Sequence, residues 1–260
     1  MTKTIGNVIA QENIATDIYS MIIETEIALS AKPGQFVSLF CKDPTRMLPR
    51  PISICSIDKK ELTIELVYRI AGKGTKGFSN LTMGDKIEIM GPLGNGFPTT
   101  NVSPYSKVIL IGGGIGIPPM IECAKALKSR GIERYSVMGY RNSETFLQDR
   151  FEELCNKTCV ATEDGSVGTK GNVIDAIKAG NIKGDIIFAC GPIPMLRAIK
   201  EYARQNDITC YISMEERMAC GVGACLACVC KTKGIDVHSQ VKNKRVCKDG
   251  PVFLAEDIDI

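Results

Sequence analysis

The stretch "VILIGGGIGIPPM" at residues 108–120 places an apolar run and four glycines directly before a sequence with helical spacing. A buried strand that ends in a glycine turn and enters a helix is the opening unit of a parallel α/β sheet. Later segments repeat the alternation of strand and helix, with "YSVMGYR", "KTCVATEDG", "DIIFACGP" and "TCYISMEE" as strands. The pattern predicts a doubly wound parallel sheet over residues 102–216.

Two helices of this region carry recognisable end signals. The first, "PPMIECAKALKSRG", begins with proline, which suits the first turn of a helix, and ends at Gly131. The second, "SETFLQDRFEEL", is predicted to begin at Ser143, whose hydroxyl is able to cap the first N–H groups.

Residues 1–101 have a different rhythm, in which apolar and polar residues alternate over short runs. The runs are "GNVIAQENIATDIYSMIIET", "GQFVSLFC", "RPISICSI", "ELTIELVYRI" and "DKIEIMGPL". Turns rich in glycine and proline, such as "AGKGTKG" and "GPLGNGF", separate them. This spacing predicts a small antiparallel β-barrel, so the whole chain is expected to be an α+β multidomain protein.

The last segment, residues 217–260, lacks an apolar core of its own and therefore needs a staple such as a metal. It holds five of the twelve cysteines, which are Cys220, Cys225, Cys228, Cys230 and Cys247. The first three follow the C-x4-C-x2-C pattern of plant-type [2Fe–2S] proteins, and Cys247 supplies the distant fourth ligand. Small residues between the ligands let backbone N–H groups face the sulfurs, while Cys230 is left outside the pattern.

A structural zinc site is the alternative, and it would make the chain a zinc-stapled binding module. Four-thiolate zinc sites usually take their ligands as two pairs, and the distal half of this site offers only Cys247. The single histidine, His238, lies in a polar segment and is predicted to be exposed. One histidine excludes Rieske centres and zinc sites with two histidines.

Composition excludes several other classes of function. The net charge is +3, from 32 basic and 29 acidic residues, which is too small to predict binding to nucleic acid or to an anionic membrane. The N-terminus has no basic start followed by an apolar run, and no apolar stretch is long enough to cross a bilayer. The chain is therefore expected in the cytoplasm, where clustered cysteines indicate metal or redox chemistry.

Two glycine-rich motifs are candidates for binding phosphate groups. "AGKGTKG" matches G-x-G-x-x-G but returns quickly to a strand, so we interpret it as a phosphate-cradling turn and not as the Rossmann fingerprint. "IGGGIGIPP" departs from that pattern yet follows a strand and precedes a helix, the context in which a helix N-terminus meets a pyrophosphate. Its glycines are Gly112, Gly113, Gly114 and Gly116, and a turn without a ligand is the alternative.

Two further positions lie where strands of the α/β sheet end. Cys190 and Gly191 follow a later strand at its carboxyl end, where ligands bind in open α/β sheets, although a plain strand-terminating turn is the alternative. After the second strand no acidic residue is available for a ribose 2′-hydroxyl, and Arg141 would suit a 2′-phosphate. These residues therefore leave the choice between NAD and NADP open.

The motif "RPIS" at residues 50–53 is a candidate in the barrel, because arginine pairs with phosphate and serine is able to bond a ring edge. It opens a series that continues with "VYR", "GKGT", "GPLGNGF", "GGGIGIPP" and "CGP" and ends in the cysteine loop. That order resembles the ferredoxin–NADP reductase superfamily with an appended cluster and, more closely, the electron-transfer subunits of NAD-dependent dihydroorotate dehydrogenases. The resemblance covers essentially the whole chain, and "MACGVGACLACVC…VCKDGPVF" is its most specific part.

The resemblance implies three cofactors: FAD, NAD and a [2Fe–2S] cluster. The barrel would bind FAD through Arg50, Pro51, Ile52, Ser53, Val67, Tyr68, Arg69, Gly74 and Thr75. The α/β domain would bind NAD, with Cys190 near the nicotinamide as the candidate catalytic residue. The last segment would hold the cluster on Cys220, Cys225, Cys228 and Cys247.

The implied partner is a separate FMN-containing catalytic subunit that oxidises dihydroorotate to orotate in pyrimidine biosynthesis, in a heterotetramer of two plus two subunits. Electrons would pass from the partner's FMN through the cluster and FAD to NAD+, because a flavin exchanges both single electrons and hydride. The alternative is a related NAD(P)H-linked subunit that serves another partner, such as a sulfide- or ferredoxin-linked oxidoreductase.

Overall fold

Six antiparallel strands close into a barrel in the computed structural model, which describes residues 1–43, 45–236 and 240–260. The strands are β1 Thr2–Ala15, β2 Ile18–Glu24, β3 Phe36–Leu39, β4 Arg50–Asp58, β5 Thr63–Arg69 and β6 Lys86–Leu93. They follow the order β1-β2-β5-β4-β3-β6 around the barrel, and β1 also pairs with β6. Two short helices, α1 (Ile27–Ser30) and α2 (Lys73–Phe78), lie in the connections. The predicted barrel is confirmed.

A parallel sheet with helices on both faces follows the barrel. Its strands are β7 Lys107–Gly113, β8 Glu133–Tyr140, β9 Lys157–Thr162, β10 Thr169–Lys170, β11 Ile186–Cys190 and β12 Thr209–Ser213. Its helices are α3 Pro119–Ser129, α4 Gln148–Leu154, α5 Val173–Ala179 and α6 Ile193–Gln205. Helices α3 and α4 pack on one face of the sheet and α5 and α6 on the other, so the predicted doubly wound architecture is confirmed.

The start predicted for the second helix is wrong, because α4 begins at Gln148 and not at Ser143. The Tyr140 hydroxyl donates a hydrogen bond to the Phe146 carbonyl at 2.6 Å, which holds the intervening segment as a loop. Leu147 then turns with a φ of 63°, so the helix starts only after it. A tertiary contact therefore overrides the local capping signal.

The C-terminal segment contributes β13 (Val229–Lys231), β14 (Asn243–Arg245) and β15 (Val252–Leu254). Strands β13 and β14 form a small antiparallel ladder, whereas β15 pairs antiparallel with β12 at the edge of the large sheet. The sheet therefore has seven strands in the order β10-β9-β8-β7-β11-β12-β15. The sequence did not predict β10 and β15, because runs of two or three residues carry no readable periodicity.

Side chains of this C-terminal segment are buried against one face of the sheet. Val246, Phe253 and Ile258 share a core cluster with Ile109 and Ile212 of the sheet. The segment thus obtains its apolar burial from its neighbour, as expected for a sequence without a core of its own. His238 lies outside the described residues, so its predicted exposure stays a prediction.

The barrel and the sheet share a second buried cluster, in which Cys55 and Val67 of the barrel pack with residues of β7 and α3. Polar contacts reinforce this interface. The Ile57 N–H donates to Glu122 Oε2 at 2.8 Å, and Lys125 Nζ donates to the Ile57 carbonyl at 2.9 Å. Among the described residues, no helix is long and apolar enough to cross a membrane.

A half-buried ion pair forms the second bridge between barrel and sheet. Arg150 Nη1 lies 2.7 Å from Glu65 Oε1, and the Ser20 hydroxyl donates to the same oxygen at 2.9 Å. The Glu65 side chain is only 14% exposed. Removal of the arginine would leave that carboxylate shielded from water and unpaired, which is costly.

We expect Arg150→Met to lower the free energy of unfolding by about 2 kcal/mol, because the Glu65 carboxylate loses its counterion at a site where water only partly replaces it. Urea unfolding followed by circular dichroism measures the change. Arg204→Met is the matched control, because its pair with Glu201 is exposed and its loss should cost less than about 0.5 kcal/mol. Equal losses in both variants would contradict the interpretation.

Candidate functional site

Strands β4 and β5 separate at one end of the barrel. Residues 50–53 of β4 pair with β3, whereas β5 pairs with β4 only from Ile54 onward. The corresponding end of β5, residues 67–69, keeps only its pairing with β2 on the other side of the strand. The two predicted FAD-binding segments therefore lie on either side of a gap in the barrel wall, where a flat ligand has access to both.

The glycine turn before and within α2 lies beside the first of these segments. A side-chain carbon at Gly74 would collide with Arg50 Nε, so the arginine lies directly over the glycine. Thr75 Oγ1 accepts the N–H groups of Ala71 at 2.9 Å and of Gly72 at 3.3 Å, which fixes the turn. The Arg50 guanidinium therefore lies against the glycine turn, an arrangement that is suited to a pyrophosphate.

Residues 67–69 contribute in different ways. Val67 is buried at the interface with the sheet, and the Tyr68 ring is 1% exposed within the barrel core. The Tyr68 hydroxyl donates to Gln11 Oε1 at 3.0 Å, and burial raises the pKa of the phenol. The Tyr68 side chain is thus committed to the barrel, and only Arg69 of the three is exposed.

Arg69 reaches from the barrel to the α/β domain. Its Nη2 lies 3.6 Å from the position that a side-chain carbon would take at Gly114. Gly114 begins the short 3-10 turn Gly114–Gly116 and has a φ of 53°, which favours glycine. The predicted FAD and NAD segments consequently meet across this arginine.

The remaining residues of the predicted NAD site lie at the point where the strand order reverses. Cys190 of β11 pairs with Gly112 of β7, and β8 lies on the other side of β7. A side chain at Gly116 would collide with the Cys190 carbonyl, and one at Gly113 would meet Met195. The two loops therefore pack closely at the crevice where open α/β sheets bind ligands.

Cys190 is partly exposed, but burial around its sulfur raises the pKa of the thiol to about 12, although a hydrogen bond with Ser213 opposes this rise. It therefore remains a thiol near neutral pH and offers packing rather than a nucleophilic thiolate. Gly191 follows it, and its backbone faces Gly113.

Two acidic residues that the sequence did not single out contact Tyr140 and Arg141 through their backbone. Glu163 and Asp164 follow β9, and their N–H groups donate to the carbonyls of Tyr140 at 3.2 Å and Arg141 at 3.4 Å. Both acidic side chains are exposed. Their negative charge opposes a 2′-phosphate at this edge of the sheet.

The structure brings the four predicted cluster ligands together as two pairs of hydrogen-bonded thiols. Cys220 contacts Cys225, and Cys228 contacts Cys247. The first pair lies toward solvent, because Cys225 is exposed, whereas each member of the second pair is 2% exposed.

Backbone N–H groups point at three of the four sulfurs. Cys220 Sγ accepts from Val222 at 3.4 Å and from Ala224 at 3.3 Å. Cys247 Sγ accepts from Gly223 at 3.1 Å, and the Cys247 N–H donates to Cys228 Sγ at 3.4 Å. Such donors stabilise anionic sulfur, as ligation to iron requires.

The pKa values of Cys220 and Cys247 are shifted in opposite directions. Burial would raise the pKa of Cys220, but hydrogen bonds from the loop outweigh it and lower the pKa to about 6. Burial and the adjacent Cys228 thiol raise the pKa of Cys247 to about 12. A bound cation reverses the second effect, since metal ligation deprotonates a thiol outright.

The paired arrangement of the thiols is compatible with a two-iron cluster. Among the described residues, no three His, Cys, Asp or Glu side chains are grouped as the ligands of a single metal ion. A [2Fe–2S] cluster instead takes two thiolates on each iron, which matches two pairs. Cys230 is buried in the core cluster shared with the sheet, and burial raises its pKa to about 11.

The cysteine loop lies against the barrel next to the predicted flavin segment. A side-chain carbon at Gly221 would lie 3.1 Å from Ser38 Oγ, and Ser38 of β3 pairs with Pro51 of β4. Adjacent strands are about 4.8 Å apart, so the loop lies one strand away from residues 50–53.

Sequence reasoning missed an ion pair that joins the two parts of the cysteine site. Arg245 and Asp249 flank Cys247, and Arg245 Nη1 also donates to the Gly223 carbonyl at 3.1 Å. The R-x-x-x-D spacing around a ligand cysteine was the available signal.

Three family models match successive parts of the chain. They describe an oxidoreductase FAD-binding domain at residues 6–97, an oxidoreductase NAD-binding domain at 110–201 and the iron–sulfur cluster binding domain of dihydroorotate dehydrogenase B at 215–259. A Fusobacterium nucleatum protein named dihydroorotate dehydrogenase B (NAD(+)), electron transfer subunit, is 43% identical over 95% of both chains. The chain belongs to this family of electron transfer subunits.

A second member of this family and a solved structure are also similar to the chain. The electron transfer subunit of Listeria innocua is 42% identical over 100% of both chains. A solved NADH-dependent reduced ferredoxin–NADP oxidoreductase, studied for flavin-based electron bifurcation, has a TM-score of 0.86 at 31% identity, over 98% of this chain and 90% of that chain. The resemblance seen in the sequence and the predicted cofactors, FAD, NAD and an iron–sulfur cluster, are confirmed.

We expect Gly74→Ala to reduce the FAD content of the purified chain at least fivefold, because the added methyl group displaces the Arg50 guanidinium from the turn. The ratio of flavin absorbance to protein measures this loss. Gly72→Ala is the matched control in the same motif, since nothing lies within 4 Å of its added carbon. Loss of flavin from both variants alike would show that Arg50 is not responsible.

Proposed function

We propose that this chain is the electron transfer subunit of an NAD-dependent dihydroorotate dehydrogenase in pyrimidine biosynthesis. In this role it passes electrons from the FMN of a catalytic partner through a [2Fe–2S] cluster and FAD to NAD+. One set of contacts carries the proposal. The cysteine loop contacts β3, which pairs with the proposed flavin segment at residues 50–53, and Arg69 reaches the glycine loop at Gly114. When bound, FAD exchanges hydride with a nicotinamide and single electrons with an iron–sulfur centre.

Each cofactor has proposed binding residues in this chain. Those for FAD are Arg50, Pro51, Ile52, Ser53, Val67, Tyr68, Arg69, Gly74 and Thr75. Those for NAD are Gly112, Gly113, Gly114, Gly116, Cys190 and Gly191. Those for the cluster are Cys220, Cys225, Cys228 and Cys247. The carboxylates of Glu163 and Asp164 support NAD over NADP.

The oxidation of dihydroorotate is assigned to an FMN-containing partner, in a heterotetramer of two plus two subunits. No described residue of this chain is a histidine, so the described part offers no imidazole for acid–base chemistry on a substrate. The proposed location is the cytoplasm. All twelve cysteines are free, which fits a reducing compartment.

Co-expression with the FMN-containing dihydroorotate dehydrogenase subunit of the same genome tests the proposed partner. The expected result is a complex of the two chains that reduces NAD+ with dihydroorotate, while the catalytic subunit alone does not. In the opposite outcome, the chain reduces its flavin with NADH but neither binds that subunit nor accepts its electrons. That result would support the alternative of a sulfide- or ferredoxin-linked partner. The curated relatives, at 42–43% identity, favour the dihydroorotate partner.

We expect Cys225→Ser to abolish the iron–sulfur absorbance and dihydroorotate-dependent reduction of NAD+ in the complex. Reduction of FAD by NADH should retain at least half of its rate, because hydride transfer does not pass through iron. Stopped-flow spectroscopy separates the two activities. Cys230→Ser is the control and should keep the cluster; loss of both activities in folded Cys225→Ser would refute the order of carriers.

A further inference from the structure

Arg245 joins the two segments that supply the cysteines. Its Nε lies 3.1 Å from Asp249 Oδ2 and its Nη2 lies 3.1 Å from Asp249 Oδ1, so the pair is bidentate. Its Nη1 donates to the Gly223 carbonyl in the loop of the first three cysteines. The guanidinium thus connects that loop to the turn that carries Cys247.

The backbone of Arg245 organises the same turn. Its carbonyl accepts the N–H groups of Lys248 at 3.1 Å and Asp249 at 2.8 Å, and its own N–H donates to Asp249 Oδ2 at 2.8 Å. Cys247 lies inside this turn. The position of the fourth sulfur therefore depends on Arg245 and Asp249 together.

Gly223 connects the Arg245–Asp249 pair to the sulfur of Cys247. Its carbonyl accepts from Arg245, and its N–H donates to Cys247 Sγ at 3.1 Å. The residue has a φ of 86°, a conformation that favours glycine and aims both groups at the opposite segment. By holding this carbonyl, Arg245 fixes the direction of an N–H donor to a ligand sulfur.

The pair also places fixed charges next to the cysteine site. The Arg245 and Asp249 side chains are 29% and 26% exposed, so water screens them only in part. An added electron makes an iron–sulfur centre more negative. A nearby cation therefore stabilises the reduced form, and a nearby carboxylate destabilises it.

We propose that Arg245 is a positioning residue that clamps the cysteine loop and raises the reduction potential of the cluster, with Asp249 opposing its charge. This inference rests on the proposed function, because it requires an iron–sulfur cluster on the four cysteines. No contact of Arg245 with a substrate is implied, since its effect acts through the sulfurs and their hydrogen-bond donors.

Redox titration of the full chain, followed by electron paramagnetic resonance, tests the inference with Arg245→Gln and Asp249→Asn. Arg245→Gln should make cluster reduction about tenfold less favourable, which is about 59 mV more negative for a one-electron couple. Asp249→Asn should shift the potential in the positive direction. Potential shifts of opposite sign in the two variants indicate an effect of charge. A loosened loop would instead shift both potentials in the same direction.

Two further variants complete the experiment. Arg245→Lys keeps the charge but loses the bidentate geometry. Its reduction potential should therefore lie between those of the native chain and of Arg245→Gln. Lys244→Gln is the control, because it removes a cation from the neighbouring position of β14. The Nζ of Lys244 lies over the Phe253 ring, so the variant should leave the reduction potential unchanged. Shifts of one sign in both principal variants, or no shift in either, would overturn the inference.

Iron and acid-labile sulfide analysis separates this inference from the proposed function. Zinc instead of iron and sulfide in the native chain would refute the proposed function itself. A loaded cluster with unchanged potentials in the variants would refute only the role of Arg245. If Arg245→Gln fails to retain the cluster, Arg245→Lys and Asp249→Asn still give the sign of the shift.

Discussion

The structure depends on how the short cysteine-rich segment is buried. Alone it has too little apolar surface to fold, so it inserts Val246, Phe253 and Ile258 into the core of the neighbouring sheet. Full burial of one such side chain is worth about 1.5–3 kcal/mol. On the barrel side, Asn95 donates its backbone N–H to the Gly250 carbonyl at 2.6 Å. The segment thereby links both domains, and the cysteine site lies between them.

This burial explains why the site needs few reactive side chains. The sulfurs receive backbone N–H groups, Arg245 donates to the loop carbonyl of Gly223 and pairs with Asp249, and the Lys248 side chain packs against Gly223. The barrel and sheet are in turn held by the Glu65–Arg150 pair and by Glu122 of α3, which accepts the N–H of Ile57 on β4. Geometry, more than acid–base chemistry, is what the chain provides to its cofactors.

Much of this arrangement could be predicted from sequence because its signals are local. Strand rhythm, glycine turns and the C-x4-C-x2-C spacing each lie within a few residues, and the barrel, the sheet and the cluster spacing followed from them, whereas FAD came from the family resemblance. The failures are non-local. Ser143 has the chemistry of an N-cap, but the Tyr140 hydroxyl holds the chain out of a helix as far as Leu147.

The contact of Arg245 with the cysteine loop also could not be predicted, because it joins residues that are distant in the sequence. Arg245 and Asp249 look like ordinary surface charges in sequence, and only the fold places Arg245 against Gly223. The proximity of the loop to residues 50–53 likewise depends on the pairing of β3 with β4, which spacing along the chain does not reveal.

Strand β15 has a consequence for the whole molecule. Without it, β12 would be the outermost strand of the sheet, with a row of unpaired N–H and C=O groups available to another chain. Because β15 directly follows the turn that carries Cys247, an unformed cysteine site would also weaken the cover over that edge. The turn that carries Cys247 and the strand that covers the edge of the sheet are therefore parts of one continuous segment.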